Sequence, residues 1–144
     1  MGSAVTQWAI ADTGPLVAFL DRREKHHAWV ADQLHNLATP ILVCEPVLVE
    51  TAFLLVRSSV ARDSLLGLLE NGTLKIAFHL DDHISEVRAL YMKYRDVPMS
   101  LADASLVRMA EMYEKHSIFT LDSHFTVYRK FGKEPLKLIY PREG

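Results

Sequence analysis

Five short apolar runs, QWAIA (7–11), TPILVCEP (39–46), TLKIAFHL (73–80), SIFTLD (117–122) and LKLIY (136–140), alternate with stretches of helical character. That alternation constrains the fold more than any other feature, because strands joined through helical crossovers make a mostly parallel sheet covered on both faces. The expected architecture is α/β, a three-layer α/β/α sandwich with a central, mostly parallel sheet of about five strands. At 144 residues the chain is expected to be one domain, residues 1–144, since a chain of this size encloses a single core. Residues 1–6 read as a flexible N-terminal extension, and Met1, Gly2 and Ser3 as a cloning remnant.

The helical stretches carry their own signals. Ala28, Val30, Ala31, Leu34 and Leu37 recur at helical spacing between 24 and 38, and Ile84, Val87, Leu90, Tyr91 and Tyr94 do the same further on. VLVETAFLLV (47–56) is too long and too continuously apolar for an average strand; with Pro46 in its first turn it is expected as a helix buried on most sides. Residues 61–70 form a helix ended by Asn71-Gly72, and Ser100-Leu101-Ala102-Asp103 opens another as a capping box.

Charge and composition narrow the function classes. A net charge of -2 and a pI near 6.4 give no overall electrostatic reason to bind nucleic acid, so any such binding rests on a local patch. No run approaches the roughly 18 apolar residues of a membrane span, and MGSAVTQW has neither a basic nor a long apolar region. A soluble, cytoplasmic protein is expected. Its one cysteine, Cys44, fits a reducing compartment and reads as a small buried hydrophobe.

In open parallel sheets the functional crevice lies outside the carboxyl ends of the strands. Asp12 follows QWAIA and Asp122 ends SIFTLD, so both point into one crevice if those strands are neighbours. Each acid also has an ordinary explanation: Asp12 can cap the helix begun at Thr13-Gly14-Pro15, Asp103 can serve its capping box, and Asp122 can cap a short helix through SHFTVYRKFG. Glu50 resists that reading. It lies in mid-helix among Pro46, Val47, Phe53 and Leu54, with no nearer cation than Arg57, and a carboxylate on such a face is costly unless it meets a cation or strong donors. Glu50 is therefore expected to face a functional cavity.

Converging carboxylates repel by roughly 4 kcal/mol per pair at about 4 Å and an effective dielectric of about 20, a penalty that a divalent ion removes. All-oxygen ligation suits Mg²⁺ or Mn²⁺, and such an ion activates water for phosphodiester hydrolysis. Other meanings of Asp-Thr-Gly fit less well. Aspartic proteases carry it in an all-β fold, and phosphoaspartyl hydrolases want a second aspartate where Gly14 stands. A receiver-like phosphoacceptor wants a late lysine that SIFTLD does not offer.

Taken in order, IADTGPLVAFLD, EPVLVETAFLL, MSLADASLVRMAE and IFTLDSHF resemble the four motifs of the PIN domain family, in particular its VapC-type toxin ribonucleases, over nearly the whole chain. The resemblance implies metal-dependent RNA cleavage, a homodimer and, for the toxins, an inhibiting antitoxin protein. It places Asp12, Glu50, Asp103 and Asp122 as catalytic metal-site acids, the first three as the main ligands. Thr120 becomes a hydroxyl that orients a carboxylate or water, and Thr13 a candidate behind it. Where many relatives carry a further acid, Ser123 and His124 follow Asp122, which argues against a tightly held second metal. RNA would need cations near the acids, and Arg108, Arg129 and Lys130, with Lys133, are the candidates. The seven histidines show no ligand spacing and read as surface residues, while Trp8, Trp29, Phe53 and Tyr91 read as core or dimer packing. The other functions weighed are a non-catalytic interaction scaffold and a metal-dependent hydrolase of DNA or small phosphate esters.

Overall fold

The computed structural model describes residues 6–142. The N-terminal extension, apart from Thr6, and the reading of Met1, Gly2 and Ser3 lie outside the described residues. In chain order the elements are β1 (Trp8–Ala11), α1 (Thr13–Leu20), α2 (His27–Leu34), β2 (Ile41–Val43), α3 (Glu45–Leu54), α4 (Ser59–Glu70), β3 (Leu74–Ile76), α5 (Ile84–Lys93), α6 (Leu101–Met112), β4 (His116–Phe119), β5 (Arg129–Lys130), β6 (Glu134–Pro135) and β7 (Leu138–Ile139). Short 3-10 turns occupy Leu80–His83 and Ser123–Thr126.

β1 runs from the exposed Trp8 into fully buried Ala9, Ile10 and Ala11, the pattern of a strand covered on both faces. It sits at the centre of a five-stranded sheet of order β3-β2-β1-β4-β7, in which every pairing is parallel. Helices α1, α2 and α4 lie on one face and α5 and α6 on the other, while α3 packs on both α1 and α6. This is the three-layer arrangement expected from the alternation of runs. Ile10, Leu106, Met109, Ile118 and Phe119 are almost wholly buried at its centre; truncating any one to alanine costs about 2–5 kcal/mol. Cys44 is buried among them, and burial pushes its thiol up to about 11. No helix among the described residues is long and apolar enough to cross a membrane.

The register of β1 on β4 matters most for function. Trp8 lies opposite His116 and Ala11 opposite Phe119, and the Asp12 amide donates to the Phe119 carbonyl at 2.9 Å. The two strands therefore end together and release Asp12 and Thr120 side by side.

Two expectations need correction. α3 is not buried on most sides: only Val47 and Thr51 are buried, while Val49 and Phe53 are 70% and 69% exposed and Leu54 is also exposed. Its inward face is a single i, i+4 line, so the rest of an apolar helix meets solvent in one copy of the chain. Of the four aromatic residues read as core or dimer packing, Trp29 packs on Phe119 with ring centroids 5.9 Å apart, whereas Phe53, Tyr91 and Trp8 are exposed and do not belong to the core. A small antiparallel hairpin, β5 on β6, had no signal in the hydrophobic pattern; Phe131 and Gly132 turn it at positive φ of 51° and 73°.

Candidate active site

Asp12, Asp103 and Asp122 reach the same place because each begins a helical segment whose N-terminus faces the end of the sheet. Asp12 caps α1, its Oδ1 accepting the Thr13 amide at 2.7 Å. Glycine at position 14 lets the start of α1 pass close to Leu121: a Cβ would stand 3.3 Å from that side chain. Asp103 completes the capping box of α6, with the Asp103 amide on Ser100 Oγ at 3.0 Å. Asp122 caps the turn at Ser123–Thr126, its Oδ1 accepting the His124 amide at 2.8 Å. All three acids are thus true caps, and capping is what aims them.

The caps leave further bonds that tie the acids to one another. Thr120 Oγ1 donates to Asp12 Oδ2 at 2.8 Å and accepts the Asp122 amide at 2.9 Å. The Tyr128 hydroxyl, fully buried behind the site, donates to Asp103 Oδ2 at 2.8 Å. Burial, and after it that hydrogen bond, holds the tyrosine pKa well above its ordinary range.

Asp12, Glu50, Asp103 and Asp122 line one open cleft of about 680 Å³, together with Thr13, Gly14, Glu24, Ser100, Ser123 and His124. Its lining contains no lysine or arginine among the described residues. Asp12 and Asp103 are only 7% and 9% exposed. Burial pushes the Asp12 carboxyl up from 3.8 to about 6; the Thr120 and Thr13 hydrogen bonds oppose that rise, and the charges of Asp103 and Asp122 add to it. Thr13 Oγ1 is buried without a hydrogen-bond partner. A carboxylate short of compensation, a buried hydroxyl short of a partner and a wall of acids without a cation all fit a hydrated divalent ion.

The structure also changes the reading of individual residues. Glu50 lines the cleft but is exposed, because its apolar neighbours Val49, Phe53 and Leu54 are themselves exposed; the desolvation argument for it does not hold. Among the described residues, the one trio of potential ligand atoms lying within 4.8 Å of one another comes from Asp103, Asp122 and His124. Asp12 and Glu50 stand outside that trio, although they line the same cleft. Arg108, Arg129 and Lys130 do not line the cleft. Arg108 donates to His83 Nδ1 and to Glu111 Oε1, each at 3.2 Å, Arg129 Nη1 is spent on the carbonyls of Thr126, Val127 and Tyr128, and Lys130 pairs with Glu134. Their charges serve the hairpin and the α5–α6 side of the fold. Sequence reasoning missed Glu24, which sits in the unpatterned DRREKHH segment, and His124, whose signal was its place two residues after a capping aspartate.

A PIN domain family model matches residues 9–130. Ribonuclease VapC26 of Mycobacterium tuberculosis is 32% identical over 127 residues, which cover 85% of this chain and 93% of that protein. The crystal structure of Mycobacterium tuberculosis VapC20, described as a sarcin-ricin loop cleaving toxin, aligns with a TM-score of 0.74 at 14% identity, covering 83% of this chain and 93% of that one. At that identity the likeness is one of fold.

Proposed function

Since the chain belongs to the PIN domain family, we propose that it is a divalent-metal-dependent endoribonuclease that hydrolyses RNA phosphodiester bonds with an activated water, as the toxin of a toxin–antitoxin pair. The observation that carries this reading is the convergence of Asp12, Glu50, Asp103 and Asp122 on a cleft lined by no cationic side chain of lysine or arginine. Asp103 and Asp122 would hold the ion, Mg²⁺ or Mn²⁺, with Asp12 and Glu50 completing the acidic wall around it. When bound, the ion supplies Lewis acidity toward the phosphate and acidifies a water.

The chain's own residues do the positioning. Thr120 fixes Asp12 relative to the start of the Asp122 turn, and Tyr128 holds one oxygen of Asp103, which limits rotation of that carboxylate. Because the cleft is open on one side, a single-stranded substrate can enter without a domain movement. The exposed apolar residues Val49, Phe53, Leu54 and Val56 lie beside Glu50 and offer a surface to the homodimer or antitoxin partner that the family resemblance implies.

Matched single-stranded RNA, single-stranded DNA and nitrophenyl phosphate, incubated with Mg²⁺, with Mn²⁺ or with chelator, test the assignment. RNA is expected to be cut only when an ion is present, and not by Asp103→Asn. Intact RNA under both ions, or preferential hydrolysis of DNA or nitrophenyl phosphate, would overturn it.

A further inference from the structure

We propose that His124 supplies an imidazole nitrogen to the bound ion beside the carboxylates of Asp103 and Asp122, which biases this site toward Mn²⁺ over Mg²⁺. The proposal rests on the metal-dependent reading above and adds to it the identity of a ligand and of the ion.

Geometry comes first. One potential ligand atom from each of the three side chains lies within 4.8 Å of the other two. Ligands about 2.1 Å from one ion stand about 3 Å apart when adjacent and about 4.2 Å apart when opposite, so small side-chain rotations bring the trio onto a single ion. Asp122 does two jobs in that arrangement. Its Oδ1 accepts the His124 amide at 2.8 Å, which fixes the histidine backbone over the carboxylate, and His124 Nδ1 stands 3.5 Å from the same oxygen. On the other side the His124 ring lies 6.5 Å from the Tyr128 ring, whose hydroxyl is bonded to Asp103. Imidazole, tyrosine and aspartate therefore form one connected wall. Tyr128 is in turn held by Phe125 and Tyr94, with ring centroids at 5.2 Å and 5.0 Å.

A second observation points to a ligand in the cleft independently of the acids. Thr13 is 6% exposed and lines the cleft, and its Oγ1 has no hydrogen-bond partner. Buried hydroxyls are rarely left unpaired, and a small shift of the Thr13 rotamer toward the cleft would pair this one with a water held by an ion. Chemistry then decides between ions. Mg²⁺ keeps oxygen ligands and several waters, whereas imidazole binds first-row transition ions readily. Replacing one oxygen position by His124 thus leaves Mg²⁺ with little gain and gives Mn²⁺ a better donor.

Pulsed electron paramagnetic resonance of the wild-type protein loaded with MnCl₂ tests the contact directly. A ¹⁴N coupling from a directly coordinated imidazole is expected, and it should vanish in His124→Gln. Calorimetric titration is expected to show that this variant loses roughly tenfold or more of its Mn²⁺ affinity while its affinity for Mg²⁺ stays within about threefold. Bound Mn²⁺ without nitrogen coupling, or an equal loss for both ions, would remove His124 from the ligand set and leave the acidic metal site standing. Failure of the wild type to bind either ion would instead sink the metal-dependent reading as a whole.

Discussion

Replacing Asp12 by asparagine should make the metal-free protein more stable, although it should abolish activity. Asp12 is 7% exposed, and burial, with the charges of Asp103 and Asp122, raises its carboxyl from 3.8 to about 6 against the pull of two hydrogen bonds. A folded-state pKa above the unfolded one means that the folded protein binds this proton more tightly. The favourable contribution is complete below about pH 4 and is lost as pH rises through about 6. At about 1.4 kcal/mol per pH unit the loss approaches 3 kcal/mol at and above neutral pH. Asparagine has nearly the same shape, can still accept the Thr13 amide, must donate its Nδ2 to Thr120 Oγ1 where the carboxylate accepted, and carries no charge to lose. Urea unfolding in chelator should therefore show Asp12→Asn ahead of wild type by about 1–3 kcal/mol near pH 8, with the gap closing by about pH 4. Adding Mn²⁺ should narrow the gap, since the ion binds more tightly to the protein that keeps the negative charge of Asp12 in the acidic wall around it. A variant less stable than wild type in chelator at about pH 8, or a gap that does not change with pH, would refute the reasoning.

Other substitutions separate the site from its support. Tyr128→Phe removes the donor that holds Asp103 Oδ2 and leaves that oxygen only a 3.5 Å contact with the Ser100 amide; metal affinity measured by titration should fall by about 10–100-fold. Arg108→Ala should cost about 1–3 kcal/mol of stability in urea, because it removes the donor to His83 Nδ1 and the cation on Glu111 Oε1, leaving Glu111 only the Phe131 amide, and should leave RNA affinity in a filter-binding assay within about twofold. A large loss of RNA binding without loss of stability would return Arg108 to the substrate site.

Much of this molecule could be read from residues alone where one local rule serves two ends. The Asp-Thr-Gly-Pro junction, the Ser100–Asp103 capping box and Asp122 ahead of its short turn are capping signals, and in the fold those caps are also the acids of the cleft. Capping and a place in the cleft do not compete here, since a helix N-terminus at the carboxyl edge of a parallel sheet satisfies both. Glu50 reached the cleft for a different reason from the one inferred: its surroundings are apolar in sequence but exposed in space, which no periodicity argument can distinguish from burial. The cations after Asp122 are near the site in sequence, yet none lines the cleft, and the β5–β6 hairpin that carries Arg129 and Lys130 has strands of two residues each, which leave no alternating pattern. Glu24 and His124 depend on how the α1–α2 loop and the Ser123–Thr126 turn fold over the cleft, and that is tertiary information.

The measurement closest to the centre of this account is calorimetric titration of folded wild-type protein and of Asp103→Asn with MnCl₂ and MgCl₂. Binding by the wild type, weakened roughly tenfold or more in a variant that keeps its fold, is the predicted result. A wild-type sample that takes up neither ion, or a variant that binds as tightly as wild type, would contradict it.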